Sequence, residues 1–290
     1  MKIISGSSNN SLSQRVAKNL GLKLLDTTIS RFSDGELKVQ VNDNIGDEVA
    51  IIQSTSSPVN DHLMELLLLA DTAKRAGSKR IVAIVPYFGY SRQDRCTYKY
   101  GPISASLVIR MLEASGITEV ITFDLHSQQL EGVFNIPVTN LSTESIFFPV
   151  LEHMKNIIIV SPDIGGIPRA RNYSALMGVD LAIINKSRDQ NNQCTMNGII
   201  GEVRGKNCII VDDIVDGAST ICLATEWLLA SGAVSATAIV THGVLSGSAM
   251  EKIDSSKLSH LYISDTIDNK SKLKSSKITA LPVHELIRLK

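Results

Sequence analysis

The chain has 290 residues, which is enough for one large or two ordinary α/β domains, each with its own core. Its 29 basic and 29 acidic side chains give a formal net charge of zero, so charge does not indicate a nucleic acid or a membrane as a partner. The beginning shows no signal peptide and no apolar run is long enough to cross a bilayer. Because the four cysteines form no Cys-x-x-Cys pair, we expect reduced thiols in a cytoplasmic protein.

Strand and helix patterns alternate along the chain. A helical pattern, a glycine and an apolar run follow one another at Gly77, Gly116 and Gly232. This order is typical of β-α-β units, in which right-handed crossovers join parallel strands. The sequence therefore predicts an α/β protein with a central, mainly parallel sheet flanked by helices in each half. We place the boundary between the halves near Leu141 and predict a small terminal helix from Val283.

A short turn in the first half combines an aromatic ring with two acids. Phe32, Asp34, Gly35 and Glu36 precede residues 37–41, whose alternating pattern predicts one arm of a hairpin. An exposed turn without a ligand is the alternative on these residues alone.

The loop after the predicted strand 81–85 is rich in aromatic and cationic side chains. Its sequence, PYFGYSRQDR, includes Arg92 and Gln93. Aromatic faces, a guanidinium and an amide are groups that can hold a purine and its phosphates. A surface loop with solvated arginines is the alternative.

Two further polar side chains follow predicted strands. His126 comes directly after the strand that ends in FDL, and is either a ligand at the carboxyl end of that strand or a satisfied structural group. Asp163 lies in the loop SPDIGG after the strand 157–160, where two glycines permit close backbone approach to a ligand.

Residues 185–198, NKSRDQNNQCTMNG, are the most polar stretch of the chain. Lys186 and Arg188 lie in it, directly after the predicted strand 181–184. The stretch is interpreted as a mobile lid that brings two cations to a substrate, with a disordered connection as the alternative.

The clearest pattern begins at residues 208–211, which are apolar and predict a strand buried on both faces. Asp212 and Asp213 end this run. Because adjacent strand residues point to opposite faces, we expect the two carboxylates on the two sides of the strand's carboxyl end, where open α/β sheets bind ligands. A helical pattern then begins at Ser219 and ends at Gly232.

The turn that leads into this helix consists of Asp216, Gly217, Ala218, Ser219 and Thr220. Such a turn presents unpaired backbone N–H groups and two hydroxyls at the positive end of the helix dipole, which together make an anion site. Carboxylates beside an anion site indicate a sugar phosphate as the ligand. An ordinary strand-turn-helix with a capping aspartate is the alternative on these residues alone.

Seven motifs, taken in this order, resemble the ribose-phosphate pyrophosphokinase family. They are RFSDGE, RQD, GPISA, FDLHS, SPDIGG with RAR, INKSR and VDDIVDGAST, and they span essentially the whole chain. The resemblance implies two domains of the type I phosphoribosyltransferase fold, at residues 1–141 and 142–280. It also implies that a C-terminal helix at about 281–290 packs back onto the first domain.

The family's reaction is transfer of the diphosphoryl group of ATP to the C1 hydroxyl of ribose 5-phosphate, giving AMP and phosphoribosyl pyrophosphate for nucleotide biosynthesis. The resemblance implies Mg²⁺ as the cofactor and a homo-oligomer, dimer-based or hexameric, in which the 32–36 hairpin reaches a neighbour's ATP site.

The resemblance also implies the site residues. The implied ATP ligands are Phe32, Asp34, Gly35, Glu36, Arg92 and Gln93, and the implied metal ligands are His126 and Asp163. The implied ribose 5-phosphate ligands are Arg188, Asp212, Asp213, Asp216, Gly217, Ala218, Ser219 and Thr220, and the implied catalytic cations are Lys186 and Arg188.

Two motifs depart from the family pattern. The phosphate loop usually reads Asp-Thr-Gly-Gly-Thr or Asp-Thr-Ala-Gly-Thr, so Ser219 stands where glycine is usual, and Gly217 removes a hydroxyl. If residue 219 needs a positive φ, the serine costs roughly 1 kcal/mol or more. The cation motif has Lys-Ser-Arg for the common Lys-Arg-Arg, which removes one positive charge.

Three other functions can be distinguished from this one by sequence. A phosphoribosyltransferase that consumes phosphoribosyl pyrophosphate shares the acid pair and loop, but does not need RFSDGE, RQD or a second domain of equal size. A non-catalytic regulatory homologue is compatible with the altered loop, although the presence of His126, Asp163, Lys186 and Arg188 argues against it. A P-loop NTPase is excluded because the sequence has no G-x-x-x-x-G-K-[ST].

Overall fold

The structure, a computed structural model, describes residues 1–188 and 194–289, with the side chains of residues 187, 188 and 194–196 outside the description. The chain forms two compact units. The first unit comprises Met1–Ser142, Thr266–Asp268 and Pro282–Lys290, and the second comprises Thr143–Asp265 and Asn269–Leu281. The chain thus changes unit one residue after Leu141. Its short return to the first unit at Thr266–Asp268 was not predicted.

The first unit is built on a five-stranded parallel sheet with the order β1-β4-β5-β6-β7. Its elements are β1 (Lys2–Ser5), α1 (Asn10–Leu20), β2 (Thr27–Arg31), β3 (Leu37–Val41), β4 (Glu48–Ile52), α2 (Val59–Arg75), β5 (Arg80–Val85), α3 (Ser104–Ala114), β6 (Glu119–Phe123), a 3-10 turn (Gln128–Val133) and β7 (Val138–Leu141). Strands β2 and β3 form a separate antiparallel hairpin.

Helix α2 shows how the sequence positions these layers. Leu66, Leu69, Ala70 and Ala73 recur at the spacing of one helical face and are fully buried in the core against the sheet. The β-branched runs of β4 and β5 are buried along most of their length, as expected for parallel strands covered on both faces.

The second unit has a seven-stranded sheet with the order β10-β9-β8-β11-β12-β13-β14, in which only the β10 and β9 pair is antiparallel among the described strands. Its elements are α4 (Glu144–Leu151), β8 (Ile157–Ser161), α5 (Ile167–Met177), β9 (Leu181–Arg188), β10 (Cys194–Ile200), β11 (Asn207–Val215), α6 (Ser219–Ala230), β12 (Ser235–Gly243), α7 (Ala249–Ser255), β13 (His260–Ser264) and β14 (Ile278–Leu281). The predicted fold class, α/β with mainly parallel sheets flanked by helices, is confirmed.

The prediction of a loop across residues 185–198 is wrong for most of that stretch. Strand β9 continues through Arg188 and pairs with β10, with Lys186 opposite Met196 and a register shift before Gly198. Pairing with a neighbouring strand satisfies the backbone whatever the side chains are, so polar composition alone does not exclude a strand at the edge of a sheet. The remainder of the predicted lid, residues 189–193, lies outside the described residues.

The predicted C-terminal helix at about 281–290 is also wrong. Leu281 ends strand β14, and the following residues form only a 3-10 turn at His284–Leu286. Pro282 lacks an N–H donor, and so short a segment cannot repay the cost of nucleating an α-helix. The turn packs against α1 of the first unit.

Among the described residues, no helix has the length and apolar character that crossing a membrane requires.

Candidate active site

Strand β11 carries the acid pair into the middle of the second sheet. It lies between β8 and β12, and its residues 208–211 are buried, which fixes the strand. The strand is longer than predicted and includes Asp212 and Asp213. The backbone N–H of Asp213 donates to Oδ1 of Asp212 at 2.9 Å.

Arg169 of helix α5 faces both carboxylates. Its Nη1 lies 3.2 Å from Oδ1 of Asp213 and 4.0 Å from Oδ1 of Asp212. One guanidinium nitrogen therefore lies near both carboxylates, and the Asp212 side chain folds back toward the backbone of Asp213. That the two carboxylates lie on opposite sides of the strand stays a prediction. Arg169 belongs to the RAR motif, whose residues have no role predicted from the sequence. The available signal was that a buried acid pair requires a compensating cation.

The electrostatics of the pair favour a neutral form of one member. Burial raises the pKa of Asp212 well above its usual range, and the neighbouring carboxylates of Asp213 and Asp163 act in the same direction. The Arg169 guanidinium lowers this pKa and so opposes them. Ionisation of both carboxyls is therefore unfavourable in the free site, and a hydroxyl donor or a cation would relieve the repulsion between them.

The turn between β11 and α6 has the geometry of an anion site. Ala218 has a left-handed backbone with φ 60° and precedes Ser219, the first residue of the helix. A left-handed residue directly before a helix directs successive N–H groups into one concavity. The expected strain therefore falls on Ala218 rather than on Ser219, whose φ is not positive. Ala218 bears about 1 kcal/mol for its left-handed backbone.

Asp163 and Lys186 meet beside this pair of elements. Nζ of Lys186 in β9 lies 3.2 Å from Oδ2 of Asp163, which follows the adjacent strand β8. The backbone N–H of Gly166 donates to Oδ1 of Asp163 at 3.0 Å. The structure thus brings these two predicted site residues together. Arg188 lies in the same strand as Lys186, but its side chain is outside the described residues.

In the first unit, the turn of the β2–β3 hairpin exposes the predicted aromatic residue. Phe32 is 53% exposed, and its N–H donates to the carbonyl of Glu36 at 2.9 Å. Gly35 has φ 96°, which glycine adopts readily. Asp34 accepts from the N–H of Glu36 at 3.1 Å. An ion pair anchors the start of this turn: a guanidinium nitrogen of Arg31, the last residue of β2, lies 2.6 Å from the carboxylate of Asp61 in α2.

Arg92 and Gln93 follow strand β5 in the same unit, and both are exposed. The hydroxyl of Ser104, at the start of α3, donates to Oε1 of Gln93 at 2.7 Å. The amide nitrogen of Gln93 is therefore the atom that can donate to a ligand. His126 lies three residues after β6 and is exposed, so it stands at the carboxyl edge of the first sheet as predicted.

Metal-ligating side chains are dispersed. In the part of the chain that the structure describes, no group of three or more His, Cys, Asp or Glu side chains has the arrangement of a metal site. Asp163 belongs to the second unit and His126 to the first.

Fold and site together define an α/β protein in which an acid pair and a turn with the geometry of an anion site lie at the carboxyl end of a strand in a mainly parallel sheet. Residues 1–116 match the family model of the N-terminal domain of ribose phosphate pyrophosphokinase, and residues 190–289 match that of the phosphoribosyl synthetase-associated domain. Ribose-phosphate pyrophosphokinase of Helicobacter hepaticus is 47% identical over 269 residues, which covers 92% of this chain and 87% of that protein. That of Campylobacter jejuni is 47% identical over 292 residues, with 99% and 94% covered.

A solved structure agrees with these relatives. The crystal structure of phosphoribosylpyrophosphate synthetase from Mycobacterium smegmatis has a TM-score of 0.93 and 31% identity, and the match covers 98% of this chain and 95% of that one. The chain belongs to the ribose-phosphate pyrophosphokinase family. The family, the fold and the activity expected from the motifs are confirmed: this chain is an enzyme that forms phosphoribosyl pyrophosphate.

Proposed function

We propose that the second unit binds ribose 5-phosphate at the carboxyl end of β11 and that the first unit binds ATP. The observation that carries this assignment is the acid pair of β11 followed directly by the concave turn at the start of α6. The distance along the chain from Asp213 to Ser219 is only six residues, so both groups serve one small ligand. A sugar phosphate offers hydroxyls to the acids and an anion to the turn.

The 5-phosphate fits the turn because the donors converge there. Backbone N–H groups at the start of α6 have no partner within the helix, and a phosphate dianion accepts several of them at once. The hydroxyls of Ser219 and Thr220, the first two residues of the helix, add donors. Gly217 contributes only backbone, so the phosphate shell has one side-chain hydroxyl fewer than the usual family loop.

The ribose hydroxyls fit the acid pair. A charged carboxylate accepts hydrogen bonds from hydroxyls, and adjacent hydroxyls of a ribose match adjacent carboxylates. Arg169 holds Asp213 at 3.2 Å and so keeps the pair in place before the substrate arrives. Orientation of the C1 hydroxyl for in-line attack on the β-phosphorus is the contribution expected from this contact.

Lys186 and Arg188 serve as the catalytic cations in this proposal. During phosphoryl transfer, negative charge spreads over the oxygens of the transferred group. Preorganised cations stabilise this charge in the transition state. The Lys186 side chain is only 17% exposed. A cation with little water around it interacts more strongly with a nearby negative charge. Its contact with Asp163 is the interaction that it would exchange for the substrate.

The residues assigned to Mg²⁺ fit that ion in part. Carboxylate oxygen is the ligand type that Mg²⁺ prefers, and the ion commonly takes only one or two carboxylates, with substrate phosphates and water completing the shell. Asp163 supplies such oxygens, and we assign it and His126 to the metal. When bound, Mg²⁺ neutralises charge on the triphosphate. The carboxylate of Asp163 would hold the ion beside Lys186.

On the ATP side, the exposed ring of Phe32 is positioned for stacking on adenine. The hairpin arms hold the turn, in which Asp34 and Glu36 supply acceptors for the nucleotide. Arg92 and Gln93, after β5, supply donors. Replacement of Phe32 by alanine should raise the KM for ATP about tenfold, because base stacking on an aromatic ring contributes about 1–3 kcal/mol. Steady-state kinetics at saturating ribose 5-phosphate measure this value. Phe32→Tyr, which keeps the ring, should leave the KM near that of the unmodified enzyme.

We further propose a cytoplasmic homo-oligomer, dimer-based or hexameric, in which the 32–36 hairpin completes the ATP site of a neighbouring subunit. Its support is that this turn exposes an aromatic ring and two acids on a hairpin that is separate from the five-stranded sheet. Mixed oligomers of Phe32→Ala and Lys186→Ala chains should then regain activity, because some sites would receive both intact groups. Mixtures no more active than their components would contradict the shared site.

The reaction is tested with purified protein, ATP, Mg²⁺ and ribose 5-phosphate. AMP and phosphoribosyl pyrophosphate should appear in equal amounts. ADP as the nucleotide product would contradict diphosphoryl transfer. No product at all would favour a regulatory homologue, and consumption of added phosphoribosyl pyrophosphate with a nucleobase would favour a phosphoribosyltransferase.

A further inference from the structure

The segment after strand β12 braces the phosphate loop. The N–H of Leu245 donates to the carbonyl of Val215 at 3.0 Å, and the N–H of Ser246 donates to the carbonyl of Asp216 at 3.2 Å. The Ser246 hydroxyl also donates to the carboxylate of Asp216. Residues 245 and 246 therefore hold the beginning of the loop, and helix α7 begins three residues later at Ala249.

Helix α7 brings a cation to the other end of the loop. Nζ of Lys252 lies 3.2 Å from the carbonyl oxygen of Gly217 and 2.9 Å from Oγ of Ser219. These are the two residues at which the loop departs from the family pattern. The Lys252 ammonium group thus contacts both Gly217, which lacks the usual side-chain hydroxyl, and Ser219, which adds one.

The far end of α7 is held in turn by another lysine. Nζ of Lys277 donates to the carbonyls of Ile253, Asp254 and Ser256 at 3.4, 3.0 and 2.7 Å. Carbonyls at a helix end lack helical partners, and a cation is favourable there. This contact fixes a helix of only seven residues, so Lys252 is presented from a held backbone rather than from a free loop.

The direction of the hydrogen bond determines what Ser219 can do. Ammonium is only a donor, so the Ser219 oxygen accepts from Lys252. The hydroxyl proton of Ser219 is then left to be donated elsewhere, and polarisation by the adjacent charge makes it a better donor. An anion seated on the first turn of α6 is the acceptor that this arrangement suits.

We propose that Lys252 is a positioning residue for the 5-phosphate of ribose 5-phosphate: it fixes the carbonyl of Gly217 and directs the Ser219 hydroxyl toward the phosphate. Its charge also adds to the positive end of the helix dipole. The Ser219 hydroxyl thereby takes the place of the one that Gly217 lacks. This inference rests on the proposed assignment of the loop to the 5-phosphate.

The test compares Lys252→Met with Lys257→Met, which removes an exposed lysine of the same unit outside the site. The KM for ribose 5-phosphate should rise about tenfold in Lys252→Met, the size expected for loss of a charge-assisted hydrogen bond. The KM for ATP and kcat should stay within about twofold, because the loop contacts only the sugar phosphate. Lys252→Arg should recover most of the affinity, and Lys257→Met should match the unmodified enzyme.

A second pair of variants tests the route through Ser219. In the Ser219→Gly background, Lys252→Met should raise the KM for ribose 5-phosphate by a smaller factor than it does with Ser219 present. Equal factors would show that the two residues act independently and would overturn the proposal. If Lys252→Met fails to fold, Ser219→Gly alone decides: a raised KM for ribose 5-phosphate supports the proposal, and an unchanged KM overturns it.

Failure of the Lys252 role and failure of the proposed function give different experimental results. If the unmodified enzyme saturates with ribose 5-phosphate and Lys252→Met has the same KM, the role of Lys252 is overturned while the proposed function stands. A parallel rise in the KM for ATP would indicate general damage and would also overturn the specific role. If the unmodified enzyme shows no dependence on ribose 5-phosphate, the proposed function fails and the role of Lys252 fails with it.

Discussion

Replacement of Lys186 by alanine should lower kcat at least about 100-fold while changing the KM for ribose 5-phosphate less than about threefold. The reason is that a preorganised cation contributes most when charge develops in the transition state, and removal of one such donor costs about 10²–10³ in kcat. Ground-state binding of the sugar phosphate depends instead on the acid pair and on the phosphate loop. Initial rates at saturating ATP and Mg²⁺ separate the two constants.

Two variants control this prediction. Lys206→Ala removes a lysine just before β11 begins at Asn207, at the opposite edge of the sheet, and should have ordinary kinetics. Lys186→Arg keeps the charge with a different shape and should be intermediate. An unchanged kcat in Lys186→Ala would remove this residue from the mechanism. A large rise in KM with unchanged kcat would instead assign Lys186 to ground-state binding.

The parts of the site that the sequence predicts well are those set by local pattern. An apolar run that ends in two acids and a helical pattern that starts at Ser219 locate the loop correctly, because burial of β11 and the start of α6 are decided within a few residues. The order of the strands also places Asp163 directly after β8 and Lys186 in the next strand, β9, which pairs with β8. Their contact at 3.2 Å follows from that adjacency.

The parts that the sequence did not predict depend on contacts between distant residues. Arg169 reaches Asp213 across 44 positions, and no periodicity reveals such a pairing. Strand β9 extends into a polar stretch because β10 pairs with it, which composition does not show. The left-handed residue is Ala218 and not Ser219, since Ser219 is already the first residue of the helix.

Replacement of Arg169 by methionine should both destabilise the second unit and weaken binding of ribose 5-phosphate. The substitution leaves two adjacent carboxylates without their cation, and breaking a buried ion pair from one side costs several kcal/mol when burial is complete. Because the Arg169 side chain is 20% exposed, we expect a smaller loss of about 2 kcal/mol in the free energy of unfolding. The KM for ribose 5-phosphate should rise at least about tenfold, because a protonated carboxyl accepts hydroxyls poorly.

The stability of the Arg169→Met variant should also depend on pH in a defined direction. Burial already raises the pKa of Asp212 well above 3.8, and Arg169 is the group that opposes the rise. Without Arg169 the pKa rises further, so the folded variant retains a proton that the unfolded chain has lost. The unmodified enzyme holds the same proton below its own raised pKa, so the stability deficit of the variant should be smallest in acid. The deficit should grow once the pH passes the folded-state pKa of Asp212 in the unmodified enzyme.

The double variant Arg169→Met with Asp213→Asn separates charge from structure. It removes the uncompensated carboxylate together with its cation, so most of the lost stability should return and the pH dependence of the deficit should flatten. The KM for ribose 5-phosphate should remain high, because one of the two acids that hold the ribose is gone. Urea unfolding at several pH values measures the first effect and steady-state kinetics the second. A double variant no more stable than Arg169→Met would show that Arg169 acts through packing of its side chain rather than through its charge.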